Sequence, residues 1–320
     1  MPFLLLSEND VRQLLTMEMA MDAVETVLKR MGLEEAENIP RSRCRTDKVM
    51  LHTMSGATKS LNYVGYKTYC TSSSGAHFQV GLSDGKTGEF LCLIQADYLG
   101  RMRTGAASGV ATQYMARPDA EEVGIYGSGK QARTQVLAVS KARKLQRIQV
   151  YSPNEEHRSK FAEEMTELCQ VNVEPVTRPE LACEDKDIVI TATSSREPVL
   201  HGNWIGEGTH LNVIGSNFWA KAEIDSLAVR QCDTIAVDSK EQARIEAGDF
   251  REALDEGSIH WSDVQDLGHI IVGRYTGRAQ VQDITMFKSL GIALEDVAVG
   301  AAVYEKAKAE GVGKWIEYWD

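Results

Sequence analysis

The sequence predicts an α/β chain with a parallel sheet and helical crossovers in its larger part and a smaller α+β unit in the rest. Three observations predict this. After Pro118, short apolar runs alternate with helical segments: EEVGIYG, KQARTQVLAVSKA, IQVYS, EEHRSKFAEEMTEL, VNVEPV, DIVITAT, HLNVIG and TIAVDS. Strands and helices of these lengths in alternation make a parallel sheet with crossovers. Between residues 47 and 97 the texture differs. VMLHTMSG, YVGYKTYC and FQVGLSDGKTGEFLCLIQ are broken by glycine, serine and an Asp84-Gly85 turn, the pattern of an antiparallel sheet. Third, the glycine pair of EEVGIYGSGKQARTQ, residues 121–135, falls where a strand turns into a helix.

The elements follow in order. Ser7 with Asp10 three residues on is close to a capping box, and apolar residues then recur at helical spacing to residue 31. One or two amphipathic helices are expected, with Thr16 capping the second and Met17, Met19 and Met21 as core packing. RTGAASGVATQYMA, residues 103–116, reads as a helix of small residues closed by Arg117-Pro118. The closing stretch, DITMFKSLGIALEDVAVGAAVYEKAKAEG, reads as another small-residue amphipathic helix, and the aromatics of KWIEYWD as packing or dimer contacts. Neither an internal repeat nor a low-complexity linker interrupts the chain.

At 320 residues with 43% apolar content, the chain has the length for one large or two ordinary domains. Its formal charge of -11, with no long run of either sign, argues against nucleic acid or an anionic membrane as partner. An anionic ligand therefore requires locally concentrated cations. The N-terminus MPFLLLSENDVRQLL lacks a basic n-region, and no stretch approaches spanning length, so a soluble, cytoplasmic protein is expected. Six scattered cysteines without a C-x-x-C pair predict reduced, mostly buried thiols and no metal site.

The glycine turn carries the first chemistry. Gly127, Gly129 and Ala132 form G-x-G-x-x-A between the strand VGIYG and a helix, the setting that a dinucleotide fingerprint requires. Gly127 permits the tight turn, Gly129 lets backbone N–H groups of the GSGKQA turn, with Lys130 and Gln131, approach a phosphate, and Ala132 keeps the helix close to the sheet. The helix N-terminus adds partial positive charge for the pyrophosphate. The larger part is thus a Rossmann-type, doubly wound domain. At the end of the second strand, where an NAD site usually carries Asp or Glu, stands Ser152. Arg158 follows, either beside a 2′-phosphate or as a solvated helix residue, so the cofactor is NAD(P)H with a lean to NADP(H).

With that fingerprint in place, IPRSR with Arg41, YVGYKTY with Lys67, RMRTGAAS with Arg103 and Thr104, GSGKQA, HLNVIGSNFWAKAEID and ITMFKSLGIALED run collinearly from about residue 39 to 297. Together they resemble the ornithine cyclodeaminase and mu-crystallin family, which includes alanine dehydrogenases and ketimine reductases. The resemblance implies a substrate and dimerisation domain from residues 1–114 with 291–320, a Rossmann domain from 115–290, and a homodimer. It implies that Arg41, Lys67 and Arg103 hold a substrate carboxylate, and arginine suits that task as a bidentate reader. Lys67, flanked by aromatics, is also a candidate for proton exchange if desolvated. Lys221 and Ser289 match cofactor-contacting positions, and Thr104, Thr191 and Thr193 are further candidates for cofactor contact.

The resemblance also sets the chemistry: hydride exchange at the alpha carbon of an amino acid or an imine, with cations fixing the carboxylate. Cyclodeaminases carry their catalytic aspartate in a Gly-Gly-Asp run. This chain reads Gly215, Ser216, Asn217, and spacing from Arg41 puts His52 where those enzymes place a glutamate. Neither residue supplies the carboxylate that a distal ammonium needs. The expected function is an NAD(P)H-dependent imine reductase or amino-acid dehydrogenase acting on a small 2-imino or 2-oxo acid, with Asn217 near the reacting centre. The alternatives are a cyclodeaminase with recycled NAD and a mu-crystallin-like protein that holds NADPH and a small ligand. His52 and His77 are candidate acid–base residues, more often structural in such settings.

Overall fold

A computed structural model of the chain describes residues 2–317. In chain order the elements begin with β1 (Pro2–Leu6), α1 (Glu8–Leu14), α2 (Met17–Gly32), β2 (Ala36–Arg45), β3 (Met50–Thr58), β4 (Tyr63–Ser72), β5 (Gly75–Asp84), β6 (Phe90–Gln95) and α3 (Asp97–Met115). Then come β7 (Glu122–Tyr126), α4 (Lys130–Ala142), β8 (Arg147–Tyr151), α5 (Glu155–Cys169), β9 (Asn172–Pro175), β10 (Ile188–Thr191), β11 (His210–Val213), α6 (Ser226–Arg230) and β12 (Thr234–Val237). The last are α7 (Lys240–Glu246), α8 (Arg251–Asp255), β13 (Val264–Asp266), α9 (Leu267–Ile271), β14 (Thr285–Lys288), α10 (Ala293–Glu310) and β15 (Lys314–Glu317). They form two compact units, one built from residues up to Arg103 and from Gly291 onward, the other from Thr104 to Leu290. The first division falls inside α3, eleven residues before the boundary expected at 114, because the small-residue helix is continuous through it.

The discontinuous unit is a seven-stranded sheet in the order β15-β1-β6-β5-β4-β3-β2. All its pairs are antiparallel except β1 with β6. Ser7 and Asp10 form a full capping box on α1, and the Thr16 hydroxyl caps α2 by accepting from the Met19 amide. These two caps satisfy amide donors that a helix start otherwise leaves open. α10 packs across β2, β3, β4 and β5 and against α2. It is buried on nearly every side for its first fifteen residues, so it is a central core helix and not the small-residue amphipathic helix expected. Helical spacing was also read too far upstream. Thr285–Lys288 is a fully buried strand, and Gly291, at φ +74°, separates it from α10. A four-residue apolar run between turns reads equally as strand or helix.

The second unit is an eight-stranded, wholly parallel sheet in the order β13-β12-β14-β11-β10-β7-β8-β9. The chain runs outward from β7 to β9, then returns to the other side of β7 as β10, which makes the crevice between β7 and β10 a switch point. One face is covered by Val136 and Val139 of α4 with Phe161 and Met165 of α5. The other is covered by Ala228 and Val229 of α6, Ala243 of α7 and Phe250. This is the Rossmann-type α/β architecture read from the alternation.

The expectation of mostly buried thiols needs correction. All six cysteines are free, but only Cys92 and Cys183 are buried, while Cys44 and Cys70 are exposed. Cys44 is on the edge strand β2 and Cys70 on the interior strand β4. Of the terminal aromatics, Trp315 is 55% exposed, and Tyr318 and Trp319 lie outside the described residues. Among the described residues no helix is long and apolar enough to cross a membrane, and no His, Cys, Asp or Glu cluster could hold a metal ion.

Candidate active site

In the discontinuous unit the three expected cations are buried together. Lys67 on β4 is 3% exposed, and its Nζ donates to Asp296 Oδ1 at 2.6 Å. Arg103 donates through Nε to the same oxygen at 3.1 Å and through Nη1 to Glu295 Oε2 at 3.1 Å. Arg41 donates from Nη2 to the Gly291 carbonyl at 2.8 Å. Glu295 and Asp296 lie in the first turn of α10, where the helix dipole favours carboxylates, and both are fully buried. Burial lowers the Lys67 pKa to about 8; Asp296 pulls it up, while Arg103 and Arg41 push it down. The result is an ammonium that releases its proton near neutral pH, the condition for general-acid work.

The two acids were not singled out in the sequence, where they lie within the closing helical stretch. A signal existed: three cations converging in an acidic chain require nearby carboxylates if they are buried.

The wall beside Lys67 is apolar and aromatic. Met54 faces Lys67 across the β3–β4 register, and Tyr69 pairs with Phe78 across β4–β5. Met54, Tyr69 and Ala293 cluster with Phe78 packed against them, and the Lys67 ammonium lies 5.4 Å from the Phe78 ring. His52 is stacked on Tyr69 at 4.2 Å, with Nε2 3.1 Å from Thr71 Oγ1. Burial first, then Arg43 and Arg41, lowers its pKa to about 4, so the ring is neutral at physiological pH and serves packing. His77 pairs with Cys70, and alternation along β4 puts it on the sheet face opposite Lys67. His77 is thus turned away from Lys67, while His52 shares the Lys67 face as a neutral ring held between Tyr69 and Thr71.

In the second unit the glycine turn has a shape that fits a pyrophosphate. Gly127 adopts φ +106°, and a Cβ there would lie 2.4 Å from the Ala192 carbonyl oxygen, so only glycine is accommodated. Gly129 is the N-cap of α4, with no side-chain cap bond and no acid in the first turn. A Cβ on Gly129 would point into open space. Lys130 is exposed, Ala132 is fully buried against the sheet, and the buried Gln131 Oε1 has no hydrogen-bond partner among the described residues. Unclaimed amides at a helix start and an open approach to them together suit a bound dinucleotide phosphate.

Of the other expected cofactor residues, Ser152, Thr191, Thr193 and Ser289 lie at or just past strand ends, Thr104 lies within α3, and Asn217 and Lys221 lie on the loop after β11. Ser152 follows β8 and is buried, and Arg158 turns back to donate from Nη1 to its carbonyl at 3.1 Å. Arg158 is 9% exposed, which removes the reading of a solvated helix residue. The Thr104 carbonyl accepts from Gln135 Nε2 at 3.1 Å. Thr191 and Thr193 both give their hydroxyls to Glu223, at 2.9 and 2.8 Å. Ser289 gives its hydroxyl to Asp238 at 3.1 Å. Lys221 lies 5.5 Å from the Phe218 ring, and Asn217 is half-buried on the loop after β11. Glu223, Asp238, Asp249 and Lys288 were not anticipated, although a lysine inside the apolar strand TMFK is itself a sign of a buried partner.

A glycine turn of fingerprint form at a parallel-sheet switch point in one unit, and a buried cluster of three cations with a low-pKa lysine in the other, are features of an NAD(P)-dependent oxidoreductase. The chain belongs to the ornithine cyclodeaminase/mu-crystallin family, whose sequence profile matches residues 3–311. It is 37% identical over 240 residues to the Δ1-pyrroline-2-carboxylate reductase of Bacillus cereus, covering 75% of this chain and 74% of that protein. The structure of Thermococcus litoralis Δ1-pyrroline-2-carboxylate reductase, in complex with NADH and L-proline, superposes with a TM-score of 0.93 at 35% identity, over 98% of this chain and 99% of that one. An archaeal alanine dehydrogenase dimer with bound NAD superposes with a TM-score of 0.94 at 31% identity, over the full length of both chains.

Proposed function

We propose that this chain is an NAD(P)H-dependent reductase of small 2-imino acids, with a cyclic imine of the Δ1-pyrroline-2-carboxylate class as substrate. The observation that carries the reading is the buried Lys67–Asp296 pair set beside the Met54, Tyr69 and Phe78 wall. An aliphatic ring has its hydrocarbon edge to bury there, whereas a side chain bearing a carboxylate would be desolvated against aromatic carbon at a cost of several kcal/mol (roughly). The likeness to two Δ1-pyrroline-2-carboxylate reductases supports the same choice.

In this reading Arg41 and Arg103 hold the substrate carboxylate, and Glu295 and Asp296 fix the Arg103 guanidinium in one orientation. A dinucleotide held by the Gly127–Ala132 turn would supply the hydride for the imine carbon. Lys67 hands a proton to the imine nitrogen, and Asp296 keeps its ammonium in place while burial makes the proton easy to release. The same groups run the reverse reaction on an amino acid. The turn Gly127–Ala132 holds the pyrophosphate, and Ser152 with Arg158 faces the adenosine ribose, where the lack of a carboxylate favours tolerance of a 2′-phosphate. Thr104, Thr191, Thr193, Lys221, Ser289 and Asn217 line the remainder of the cofactor side. The discontinuous unit binds substrate and forms a homodimer through its outer sheet face, where Val64 and Tyr66 of β4 are exposed.

The experiment is a panel of Δ1-pyrroline-2-carboxylate, Δ1-piperideine-2-carboxylate, iminosuccinate and pyruvate with ammonia, following loss of reduced nicotinamide and formation of L-amino acid. The cyclic imines should turn over fastest. L-Ornithine with catalytic NAD should give no proline, since Asn217 and the neutral His52 provide no carboxylate for a distal ammonium. Proline and ammonia from ornithine, with no net consumption of NAD(P)H by the imines, would replace this reading by the cyclodeaminase.

A further inference from the structure

The loop after β11 is pinned at two consecutive residues by buried groups of opposite charge. Glu223, fully buried, accepts at Oε2 from the Gly215 amide at 2.6 Å and from the Thr191 hydroxyl at 2.9 Å. At Oε1 it accepts from the Thr193 amide at 2.7 Å and from the Thr193 hydroxyl at 2.8 Å. One carboxylate therefore ties the carboxyl end of β10 to the carboxyl end of β11. On the next residue, the Ser216 carbonyl accepts from Lys288 Nζ at 2.7 Å. Lys288 is fully buried and paired with Asp249 at 2.8 Å, and Asp249 in turn accepts from the Glu223 amide at 2.6 Å. The ring closes through Glu223, Gly215, Ser216, Lys288 and Asp249. Even a methyl group on Gly215 would stand 2.2 Å from Glu223 Oε1, so the clamp leaves no room for a side chain.

Such an arrangement is costly. Two carboxylates and an ammonium are held out of water at 0% exposure, and burial of this kind is weak evidence for stability but good evidence for a fixed geometry. What the ring fixes is the loop that continues into Asn217, at the carboxyl ends of strands beside the switch point where ligands of such sheets bind. We propose that Glu223 is a positioning residue, acting with Lys288 and Asp249 to hold the Gly215–Asn217 segment in the one conformation that sets the reduced nicotinamide against the imine. The proposal rests on the reduction reading above. The pyrophosphate turn and the Arg41–Lys67–Arg103 cluster are built from other residues, so the ring bears on the cofactor only at its nicotinamide end, through Thr191, Thr193 and Asn217, and both affinities should change far less than turnover.

The test is Glu223→Gln, in which one carboxylate oxygen becomes an amide donor facing groups that are themselves donors. Turnover should fall at least tenfold, while the imine KM and the NAD(P)H Kd each change by less than threefold. The loop carries its own reporter in Trp219. In protein labelled with 5-fluorotryptophan, the Trp219 fluorine line, assigned with Trp219→Phe, should be single and narrow in the parent and broadened or split in Glu223→Gln. A folded Glu223→Gln with turnover within twofold of the parent and an unaltered Trp219 line overturns the proposal. Loss of turnover, KM and Kd together with a lowered melting temperature overturns it equally, since that is what a merely structural group does. If Glu223→Gln does not fold, Thr191→Val removes a single donor and keeps the charge; it should lower turnover about threefold and broaden the same line, and a parent-like result there refutes the clamp. If the parent protein itself fails to reduce imines, the reduction reading falls, and the fluorine line still decides whether the ring fixes the loop.

Discussion

Replacing Asp296 by asparagine should move the alkaline limb of the pH–rate profile for imine reduction downward while leaving its shape intact. Lys67 carries its proton below a pKa of about 8 and loses it above, so the donating form should be about a tenth of the total one pH unit higher. Asp296 is the group that holds this value up against burial, through a 2.6 Å charge-assisted contact. Such hydrogen bonds contribute about 1.5 to 3 kcal/mol, and one pKa unit is about 1.4 kcal/mol, so the limb should fall by roughly one to two units. Asparagine keeps the shape and the acceptor oxygen but not the charge, and Arg103 retains Glu295. The assay is kcat/KM for Δ1-pyrroline-2-carboxylate at saturating NAD(P)H across the pH range for both proteins, because that ratio reports ionisations of the enzyme before substrate is bound. Ionisation of the substrate is common to both profiles, so the difference between them belongs to the enzyme. A limb at the same pH in Asp296→Asn would refute Lys67 as the proton donor. Stability carries the same signature with a definite sign. Folded Lys67 binds its proton less tightly than the ordinary value of 10.5, so the unfolded chain takes up more protons between about pH 8 and 10.5. Stability should therefore rise across that window, by at most roughly 3 kcal/mol, and the cost is fully present below it.

Gly129→Val should weaken NAD(P)H binding by about a hundredfold or more, since its side chain enters the open approach to α4, yet keep the melting temperature within about 4 °C. Fluorescence titration beside a thermal melt checks this, and parent-like affinity in a folded variant would remove the turn from the cofactor site. Ser152→Asp should shift the NADH-to-NADPH preference by one to two orders of magnitude, roughly 1.4 to 3 kcal/mol, because it sets a carboxylate against the 2′-phosphate. A ratio of Kd values that does not move would put the ribose elsewhere.

What could be read in advance was local. Ser7, Asp10 and Thr16 cap helices because capping depends on residues three apart, and Gly127 turns a strand into a helix through its own backbone freedom. The parallel sheet was legible because crossover helices impose a rhythm on the chain. The misses are non-local. β1 pairs with β15, placing Pro2 opposite Glu317, and neither short strand has a hydrophobic period long enough to register by itself. The partner of Lys67 lies 229 residues downstream, so its identity depends on how α10 crosses the sheet. Lys288 sits in a strand of four buried residues, and its charge reads as an interruption until Asp249 and the Ser216 carbonyl are brought beside it.

The return of α10 to the sheet of β1–β6 fixes an order of events at the ribosome. Lys67 and Arg103 are synthesised 229 and 193 residues before Asp296, and the whole nucleotide unit is synthesised in between. Domains generally fold as units as they emerge, so the nucleotide unit can close while the earlier sheet still lacks its central helix. Through that interval the lysine and arginine have no carboxylates from α10, and the apolar side chains of β3, β4 and β5 stand uncovered. The substrate cluster is therefore the last part of the molecule to become competent, and a nascent chain stalled short of Asp296 would carry a complete cofactor turn without any means of using it.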